Sequence, residues 1–487
     1  MRQTQAPAAA RPRWNDRRAH ALLLSVFALL YGYFFQGGGW NQNSQFDTIR
    51  ALVEQHRLEI STYAANTGDI GVFEGRVYSN KAPGLAAWGA PLYVLIYTVE
   101  RAAGVDINAP LVVNANAHLL TVWTSGLPAA VLLLFLYQYL CRQGATVREG
   151  LSLAGGFGAG SLLLPYSGVM MNHALAACLL FGAWYLIGAA SPGRRGLLAG
   201  GLLAGLALVT EYLTAPAVGL FVAYVAWKQR SKDVLFFLIG PACLLSLLLL
   251  SNQVNFGSPL MTNYSIQSQQ FTDGGLLFGM LGWPQPIRLF WLTIHPFRGL
   301  FYCCPVFLIV ILSFVPPLRR TAMTAEAVVA ALVVLYFLLF NLSFNGWTGG
   351  WSIGPRYLIP ALPFFFSFSL PGFRRFPRVS LALIAVSAAL MLSVTAVQTM
   401  IPADDSGPPP PGADPLAQSL RQLAAGRVST SMQSMLEAAP SRSGYDAWDS
   451  YNLGELLGLP ELFSLLPAFA LLVGFATMVV NLDDDRR

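Results

Sequence analysis

Most of this chain consists of apolar runs of the length that crosses a lipid bilayer. A helical crossing needs about twenty apolar residues. Only 11% of the 487 residues are charged, whereas a soluble globular chain carries about 25%. So few charges could not cover a water-facing surface of this size, and the sequence therefore predicts an all-α polytopic membrane protein. The candidate spans are residues 19–36, 84–103, 111–140, 150–167, 171–190, 197–211, 213–228, 234–252, 299–315, 325–342, 356–371, 379–401 and 461–481.

Basic residues at the ends of these runs predict the side on which each loop lies. Arg11, Arg13, Arg17 and Arg18 place the N-terminus in the cytoplasm. The net charge of +6 arises from such clusters, which is typical of a membrane protein and does not indicate a nucleic-acid partner. The loops predicted to lie outside are 37–83, 253–298, 343–355 and 402–460.

The predicted sides of the loops do not alternate consistently near the second and third apolar runs. Arg142 and Arg148 also favour the cytoplasm, so one of the spans 84–103 and 111–140 cannot cross fully. We therefore expect about twelve crossings, with a short or re-entrant piece near 84–118.

The first outer loop is long, polar and charged. A hairpin between two membrane helices needs only a few residues, and long loops of this kind are usually functional. Phe46 and Ile49 share one face of a helix predicted over 44–56. Asp47 falls on another face, in the first turn. The pattern predicts a helix in the membrane interface, whose Asp47 either takes part in chemistry or simply complements the helix dipole.

A lysine follows in the segment YSNKAPG, directly before the second run. Pro83 and Gly84 turn the chain into the span after Lys81. A lysine at a membrane edge is often an anchor that reaches for water. It could equally hold a lipid phosphate as a point charge.

Further polar candidates stand at the outer ends of later runs. Arg298 lies in HPFRGLFYCCP, and Arg356 lies in NGWTGGWSIGPRYLIPALP. An outer arginine runs against the positive-inside bias, and arginine pairs well with phosphate. The sequence therefore predicts one outer pocket in which Lys81, Arg298 and Arg356 surround an anionic group. The other candidate substrate-binding residues are Asp69, Tyr78, His173, Glu211, Tyr264, His295, Trp347 and Trp351.

Several of these candidates also have a structural explanation. Trp347 and Trp351 would suit an aromatic belt at the membrane surface. A lone histidine such as His173 is most often structural. Glu211 interrupts an apolar run, and an acid inside a membrane segment is a functional candidate unless it marks a turn.

The loop 402–460 differs in composition from the rest of the chain. Its opening, PADDSGPPPPGADP, predicts an extended, polyproline-like stretch. Two short amphipathic segments are predicted near 416–424 and 430–438. We expect the loop to fold over the outer cavity and shape the acceptor side, although a disordered tether fits its composition equally well. The aromatic residues that follow would suit stacking on a sugar or peptide acceptor, and they are Tyr445, Trp448 and Tyr451.

These segments together resemble the GT-C superfamily of integral-membrane glycosyltransferases. The branch is that of the bacterial protein O-mannosyltransferase-like and aminoarabinose-transferase-like enzymes. The resemblance covers residues 20–400 and rests on Asp47 after the first span and on three segments, YSNKAPG, HPFRGLFYCCP and WTGGWSIGPRYLIPALP. Each motif is short and moderately specific, whereas their order and spacing are much more specific.

The resemblance implies a GT-C-type bundle with interfacial helices in the first outer loop. It implies that a sugar moves, with inversion, from a polyprenyl-phosphate donor to a hydroxyl acceptor. In that family a first-loop aspartate is the candidate base, which carries over to Asp47. A lysine in a Lys-Pro-Pro-like segment contacts donor phosphate, which carries over to Lys81. This chain departs from the family with Lys-Ala-Pro at 81–83 and with Asp47-Thr48 in place of Asp-Glu, which puts a two-carboxylate or metal-assisted site in doubt.

The resemblance also implies a division of the chain and a place in the cell. A transmembrane catalytic module would span 1–401, the extracytoplasmic loop 402–460 would follow, and 461–487 would hold the last helix and a cytoplasmic tail. The protein would lie in the inner or plasma membrane as a multi-pass protein, with its active site on the extracytoplasmic face.

The chemistry of glycosyl transfer agrees with these residue types. The acceptor hydroxyl needs a base for its proton, and the departing phosphate needs positive charge. Asp47 would supply the first. Lys81, Arg356 and Arg298 would supply the second, so that no cofactor is required, although a divalent metal is compatible with the site.

The expected partners follow from this chemistry. They are a polyprenyl-phosphate-linked sugar, membrane lipid and a hydroxyl acceptor on a lipid, a glycan or a protein. Two other functions stay open. One is a transporter or flippase of lipid-linked sugars, which the outer position of the polar residues and the lack of an internal repeat disfavour. The other is an oligosaccharide ligase or polymerase, which would share similar parts.

Overall fold

Helices dominate the structure, a computed structural model. It describes residues 14–189, 192–229, 232–267, 279–315, 324–401, 407–431, 434–435 and 450–482. Arg11, Arg13, Tyr445 and Trp448 lie outside these ranges. The α-helices are α1 Trp14–Tyr31, α2 Trp40–Glu54, α3 Gly84–Ala102, α4 Pro110–Thr121, α5 Leu127–Arg142, α6 Val147–Gly160, α7 Leu163–Ser167, α8 Asn172–Ile187, α9 Arg194–Thr210, α10 Ala215–Gln229, α11 Val234–Phe256, α12 Pro286–Thr293, α13 Leu300–Cys303, α14 Leu308–Leu312, α15 Ala325–Ser343, α16 Leu362–Phe366, α17 Leu370–Arg375, α18 Pro377–Val397, α19 Pro415–Ala424, α20 Leu453–Leu456 and α21 Leu466–Val480.

Five helical segments of the described residues are long and apolar enough to cross a membrane. Other apolar helices are shorter, and α8 is almost entirely buried among its neighbours. The chain is therefore a polytopic membrane protein, as its composition predicts, while the number of about twelve crossings stays a prediction. The five long segments are Pro110–Arg142, Val234–Phe256, Ala325–Ser343, Pro377–Val397 and Glu461–Val480.

The region predicted to be short or re-entrant consists of two full helices. α3 runs over nineteen residues, and α4 continues into α5 through a single π-helical segment, Val122–Gly126. The indole rings of Trp88 and Trp123 stack with their centroids 6.0 Å apart, and the Trp123 Nε1 donates to the Trp88 carbonyl at 2.9 Å. These contacts hold α3 beside the long helix. α3 is not among the described helices that are long and apolar enough to cross a membrane, so a short or re-entrant piece near 84–118 stays a prediction.

Glycines allow α9 and α11 to pack backbone against backbone. A Cβ atom placed on Gly201 would lie 2.0 Å from the carbonyl oxygen of Phe237, and one on Gly240 would lie 2.1 Å from the Gly201 carbonyl carbon. No side chain fits there, so these positions require glycine. Close packing of small residues is the usual way in which membrane helices associate.

Two small sheets occur in loops that are predicted to lie outside, so the expectation of an all-α chain is wrong in this detail. Strand β1 (Phe34–Gln36) pairs antiparallel with β4 (Ser450–Asn452), which joins the end of α1 to the last outer loop. Strands β2 (Ile70–Phe73) and β3 (Arg76–Ser79) form a hairpin in the first outer loop. Both sheets serve to position the loops that carry the site.

Candidate active site

Helix α2 is buried on almost every side, although its residues are strongly polar. The sequence predicts an interfacial helix over 44–56, whereas the structure begins it at Trp40, which places Asp47 in its middle and not in its first turn. The polar side chains are buried because they find partners on other segments. The Ser44 hydroxyl donates to the Asp69 carbonyl at 2.8 Å, and Gln45 Nε2 donates to Asn172 Oδ1 at 2.7 Å. α2 therefore connects the loop that holds Asp69 to the start of α8.

Asp47 is a buried carboxylate with few contacts. It is 1% exposed, and its Oδ1 accepts one long hydrogen bond from Asn66 Nδ2 at 3.3 Å. Its Oδ2 has no hydrogen-bonding partner among the described residues. Burial raises the pKa of Asp47 well above its ordinary value, against the opposing effects of the Asn66 hydrogen bond and the Arg50 charge. A carboxyl of this kind is poised to take or give a proton.

The next turn of α2 carries an ion pair that the sequence analysis did not single out. The Arg50 Nε lies 2.8 Å from the Glu54 Oε1, at the i,i+4 spacing that could have revealed it. Tyr93 and Tyr63 donate their hydroxyls to Glu54 at 2.7 and 3.0 Å. Arg50 is thus committed to Glu54, and Asp47 has no ion-pair partner in the described part of the chain.

Lys81 and Asp69, both predicted as site residues, form an ion pair with 2.9 Å between Nζ and Oδ2. Both side chains are largely buried. Asp69 reaches Lys81 because the β2–β3 hairpin brings residues 69 and 79 together. The hydroxyl oxygens of Ser44 and Ser79 lie 2.6 Å apart, so Ser44 accepts from Ser79 while it donates to the Asp69 carbonyl. The lysine ammonium is therefore held inside the protein and does not act as an anchor that reaches for water at the membrane surface.

His173 and Glu211 lie together at another buried point. The His173 Nδ1 is 3.5 Å from the Glu211 Oε2, which is longer than a good hydrogen bond. His173 stands in the first turn of α8. Glu211 follows the last residue of α9 in an extended conformation, so it marks a helix break and also faces a histidine.

Arg356 is a largely enclosed cation with no ion-pair partner among the described residues. Its Nη2 donates to the Tyr357 hydroxyl at 3.2 Å, and its Nε has no hydrogen-bonding partner in the described chain. A Cβ atom on Gly349, whose φ is +76°, would lie 3.0 Å from the Arg356 Cγ. The glycine-rich turn is therefore the surface on which this arginine rests.

Arg298 contributes to the site from beneath that turn. It is fully buried and donates to the carbonyls of Thr348 at 2.7 Å, Gly350 at 2.8 Å and Phe297 at 3.1 Å. Phosphate contact was the expectation for this residue. Its described contacts instead make it the support of the turn on which Arg356 rests.

Electrostatic effects show which of these groups are neighbours. The charges of Lys81 and Arg356 both act on the His173 imidazole. Asp69 acts on Arg356, and both Asp69 and Glu211 act on Tyr264, whose pKa burial raises well above its ordinary value. We refer to this group as the cation side of the site. Its members are Lys81, Asp69, Arg356, His173, Glu211 and Tyr264.

Three other predicted residues have structural contacts instead. The Tyr78 ring packs edge-on against Phe256 at 5.0 Å. His295 Nδ1 accepts from the Phe297 amide at 3.1 Å. Trp351 is partly buried against the main core.

Trp347 belongs to a second, smaller cluster. Its ring stacks on Trp291 at 5.1 Å, and its Nε1 donates to the Gly407 carbonyl at 3.2 Å. The tryptophan therefore connects the Gly-rich segment to α12 and to the start of the described part of the last outer loop. It is 1% exposed, so it is a core residue and not a belt anchor.

The loop 402–460 reaches Asp47's surroundings through a short segment, residues 429–431 and 434–435, which we call the outer strap. Asn43 Nδ2 donates to the Ser434 carbonyl at 2.9 Å, and Asn66 Nδ2 donates to the Met435 carbonyl at 2.8 Å. The first predicted amphipathic segment is the helix α19. The second is wrong in its described part, because residues 430, 431, 434 and 435 are not helical. The side-chain amides that bind the chain here replace helical hydrogen bonds.

Tyr451 does not stand free for stacking. It lies in β4, and its hydroxyl is 2.9 Å from His118 Nδ1. Burial raises its pKa to about 12.

The sequence analysis did not find Asn43, Asn66 or Asn172. An asparagine in a polar loop has many possible uses, and only the fold shows which carbonyl or carboxylate it meets. The described residues contain no cluster of three or more histidine, cysteine, aspartate and glutamate side chains, so we assign no residue as a metal ligand.

Comparison with known proteins shows that the chain has a GT-C-like fold. Two solved structures of ArnT from Cupriavidus metallidurans are similar to it, one bound to undecaprenyl phosphate (TM-score 0.51) and one in the apo state (TM-score 0.50). Each is 13% identical in sequence, and each alignment covers 95% of this chain and 76% of that chain. No family model and no curated relative matches the sequence. The GT-C fold implied by the sequence motifs is thereby confirmed.

Proposed function

We propose that this protein is a glycosyltransferase that moves a sugar from a polyprenyl-phosphate donor to a hydroxyl acceptor. The observation that supports this most is that two charged side chains lack ion-pair partners among the described residues. Asp47 has a buried oxygen without a partner, and Arg356 has no acid within ion-pair distance, although Asp69 acts on it from further away. Buried charges without partners are costly, and they cluster where a ligand or a reaction needs them.

In the proposed reaction Asp47 is the base. The acceptor O–H would give its proton to the Asp47 Oδ2 while its oxygen forms a bond to the anomeric carbon of the sugar. The bond between that carbon and the phosphate oxygen breaks, and polyprenyl phosphate leaves with the electron pair. Attack from the face opposite the leaving group inverts the configuration. The ionised form of Asp47 is required, so its raised pKa predicts activity that is lost on acidification.

Arg356 and Lys81 are the proposed phosphate ligands. The planar guanidinium of Arg356 can bind two phosphate oxygens at once, and the turn beneath it holds it in place. Lys81 would add a point charge and would share it between Asp69 and the phosphate. Arg298 would act only indirectly, by holding the turn.

The similar ArnT structure supports the donor class, because it is bound to undecaprenyl phosphate. The predicted topology supports a reaction on the extracytoplasmic face, since the first outer loop carries both Asp47 and Lys81. The acceptor would approach from the side of the outer strap, which lies next to Asn66 and Asp47.

The test uses the purified full-length protein and a polyprenyl-phosphate sugar. Binding of the donor and transfer of its sugar to an acceptor are measured separately, for the wild-type protein and for Asp47→Asn. Asp233→Asn is a matched control, because Asp233 pairs with Arg194 on the surface and not at the site. Donor binding without transfer in Asp47→Asn alone supports the proposal. Normal transfer by Asp47→Asn would refute it.

A further inference from the structure

The side chain of Asn66 joins two parts of the chain that are far apart in sequence. Its Nδ2 donates to the Asp47 Oδ1 at 3.3 Å and to the Met435 carbonyl at 2.8 Å. Asn66 is only 6% exposed. One buried amide therefore connects the proposed base to the outer strap.

The strap is held at its other end by specific contacts. The amides of Ser429 and Thr430 donate to the carbonyls of Ala396 and Val397, each at 2.8 Å. Ser429 has a φ of +53°, unusual for a residue with a side chain, and its hydroxyl donates to Glu455. A strained residue that is fixed by its neighbours indicates a segment with a defined seat.

The chemistry of the Met435 contact restricts what Asn66 can present to Asp47. A carbonyl oxygen only accepts hydrogen bonds, whereas an amide group has a donor end and an acceptor end. The seated strap therefore selects the orientation in which the NH₂ group lies between Met435 and Asp47. A donor facing Asp47 favours the carboxylate over the protonated acid.

We propose that Asn66 is a positioning residue that couples seating of the outer strap to the ionised form of Asp47. Closure on the acceptor side would then prepare the base for the acceptor proton. This inference rests on the proposed function, because it assumes that Asp47 is the base. Without the strap, the amide could rotate and present its oxygen to a protonated Asp47.

Other charged groups around α2 are already paired. Arg50 binds Glu54 on α2 itself, and Tyr93 of α3 donates to the same glutamate. Lys81 binds Asp69 beside β3, as described above, and His173 lies near Glu211 at the start of α8. A shift in the titration of Asp47 on changing Asn66 would therefore come from the Asn66 contact.

The experiment compares Asn66→Ala with Asn43→Ala in the full-length protein. Asn43 also binds the strap, through the Ser434 carbonyl, but its side chain has no described contact with Asp47. The pH dependence of kcat is measured with a polyprenyl-phosphate sugar and acceptor in excess. We expect Asn66→Ala to lower kcat about 10- to 100-fold and to move the acidic limb upward by about one pH unit, since a hydrogen bond to the charged form is lost.

Because seating of the strap selects the orientation of the Asn66 amide, Asn43→Ala should weaken seating and also move the acidic limb upward, by less than Asn66→Ala does. Hydrogen exchange at the amides of Ser429 and Thr430 reports that seating directly. Both variants should speed this exchange. Unchanged exchange in Asn66→Ala, or equal acidic limbs in Asn66→Ala and the wild-type protein, would overturn the coupling.

Two further variants separate the possible failures. If Asn66→Ala does not fold, Asn66→Asp keeps the size of the side chain and places a like charge beside Asp47, so the acidic limb should rise further. An unmoved limb in that variant also overturns the coupling. Normal transfer by Asp47→Asn would overturn the proposed function itself, together with the coupling, whereas an unmoved limb with an inactive Asp47→Asn overturns the coupling alone.

Discussion

The two halves of the site carry opposite charges that are compensated in different ways. One half contains Asp47, the proposed base, and we call it the base side. Asp47 has one long hydrogen bond and no ion pair among the described residues. On the cation side, Lys81 is paired with Asp69, whereas Arg356 has no acid within ion-pair distance among the described residues. Each half thus contains one charged side chain without an ion-pair partner in the described part of the chain.

This difference shows where ligands are expected. A paired buried charge is a structural element, because removal of either partner leaves the other one desolvated. An unpaired one loses free energy on folding and is retained where binding or catalysis requires it. Under the proposed function, Asp47 would take the acceptor proton and Arg356 would bind the phosphate, with Lys81 as a second cation that Asp69 already neutralises.

The strongest test of the difference between the two sides removes the negative charge of Asp47. Asp47→Asn should lower transfer by about 10²- to 10⁴-fold, the usual effect of losing a general base. The variant should also be at least as stable as the wild-type protein at neutral pH. The folded state raises the Asp47 pKa, so the charged form costs stability once the pH exceeds the unfolded value. Transfer assays and thermal unfolding at pH 5 and pH 8 check both. A large loss of stability at pH 8 would contradict the assignment.

The next test separates Arg356, on the cation side, from Arg298, which supports the turn beneath it. Arg356→Gln should weaken binding of the polyprenyl-phosphate donor about 10- to 100-fold and leave the melting temperature almost unchanged. Arg298→Gln should instead destabilise the fold by about 2–4 kcal/mol, because it leaves buried carbonyls without donors. Equilibrium donor binding and thermal unfolding are measured for both. Equal effects of the two variants on binding and on stability would show that the distinction is mistaken.

A smaller effect is expected from the last outer loop. Replacing residues 404–450 with a short Gly/Ser linker removes the Asn43 and Asn66 contacts to the strap. Transfer should fall about tenfold while donor binding survives, since the loop lies on the base side. Loss of donor binding in a folded variant would place the loop on the cation side. Unchanged transfer and binding would make it a tether.

The smallest effect concerns pH in the wild-type protein. Because the Asp47 pKa is raised by burial, its carboxylate protonates at a higher pH than that of an ordinary aspartate. Activity should therefore fall on acidification, with an acidic limb at a higher pH than an ordinary aspartate would give. Donor binding should change less over that range. A transfer rate that stays constant down to pH 4 would show that Asp47 is not the titrating base.

The sequence alone predicted the membrane class, the GT-C fold and most helices, because hydrophobic length and motif order are properties of the chain itself. It also pointed to Asp47, Lys81 and Arg356 as one group of candidates. It did not distinguish Arg356 from Arg298, which look alike at the ends of two apolar runs.

Only the tertiary structure decided which charges are compensated. Asp69 meets Lys81 because a hairpin folds back, and Arg298 meets the carbonyls of Thr348 and Gly350 because a glycine turn passes over it. Asn66 meets both Asp47 and Met435, although the latter lies 369 residues further along the chain. Such pairings depend on long-range packing, which places side chains to within an ångström and leaves no local pattern in the sequence.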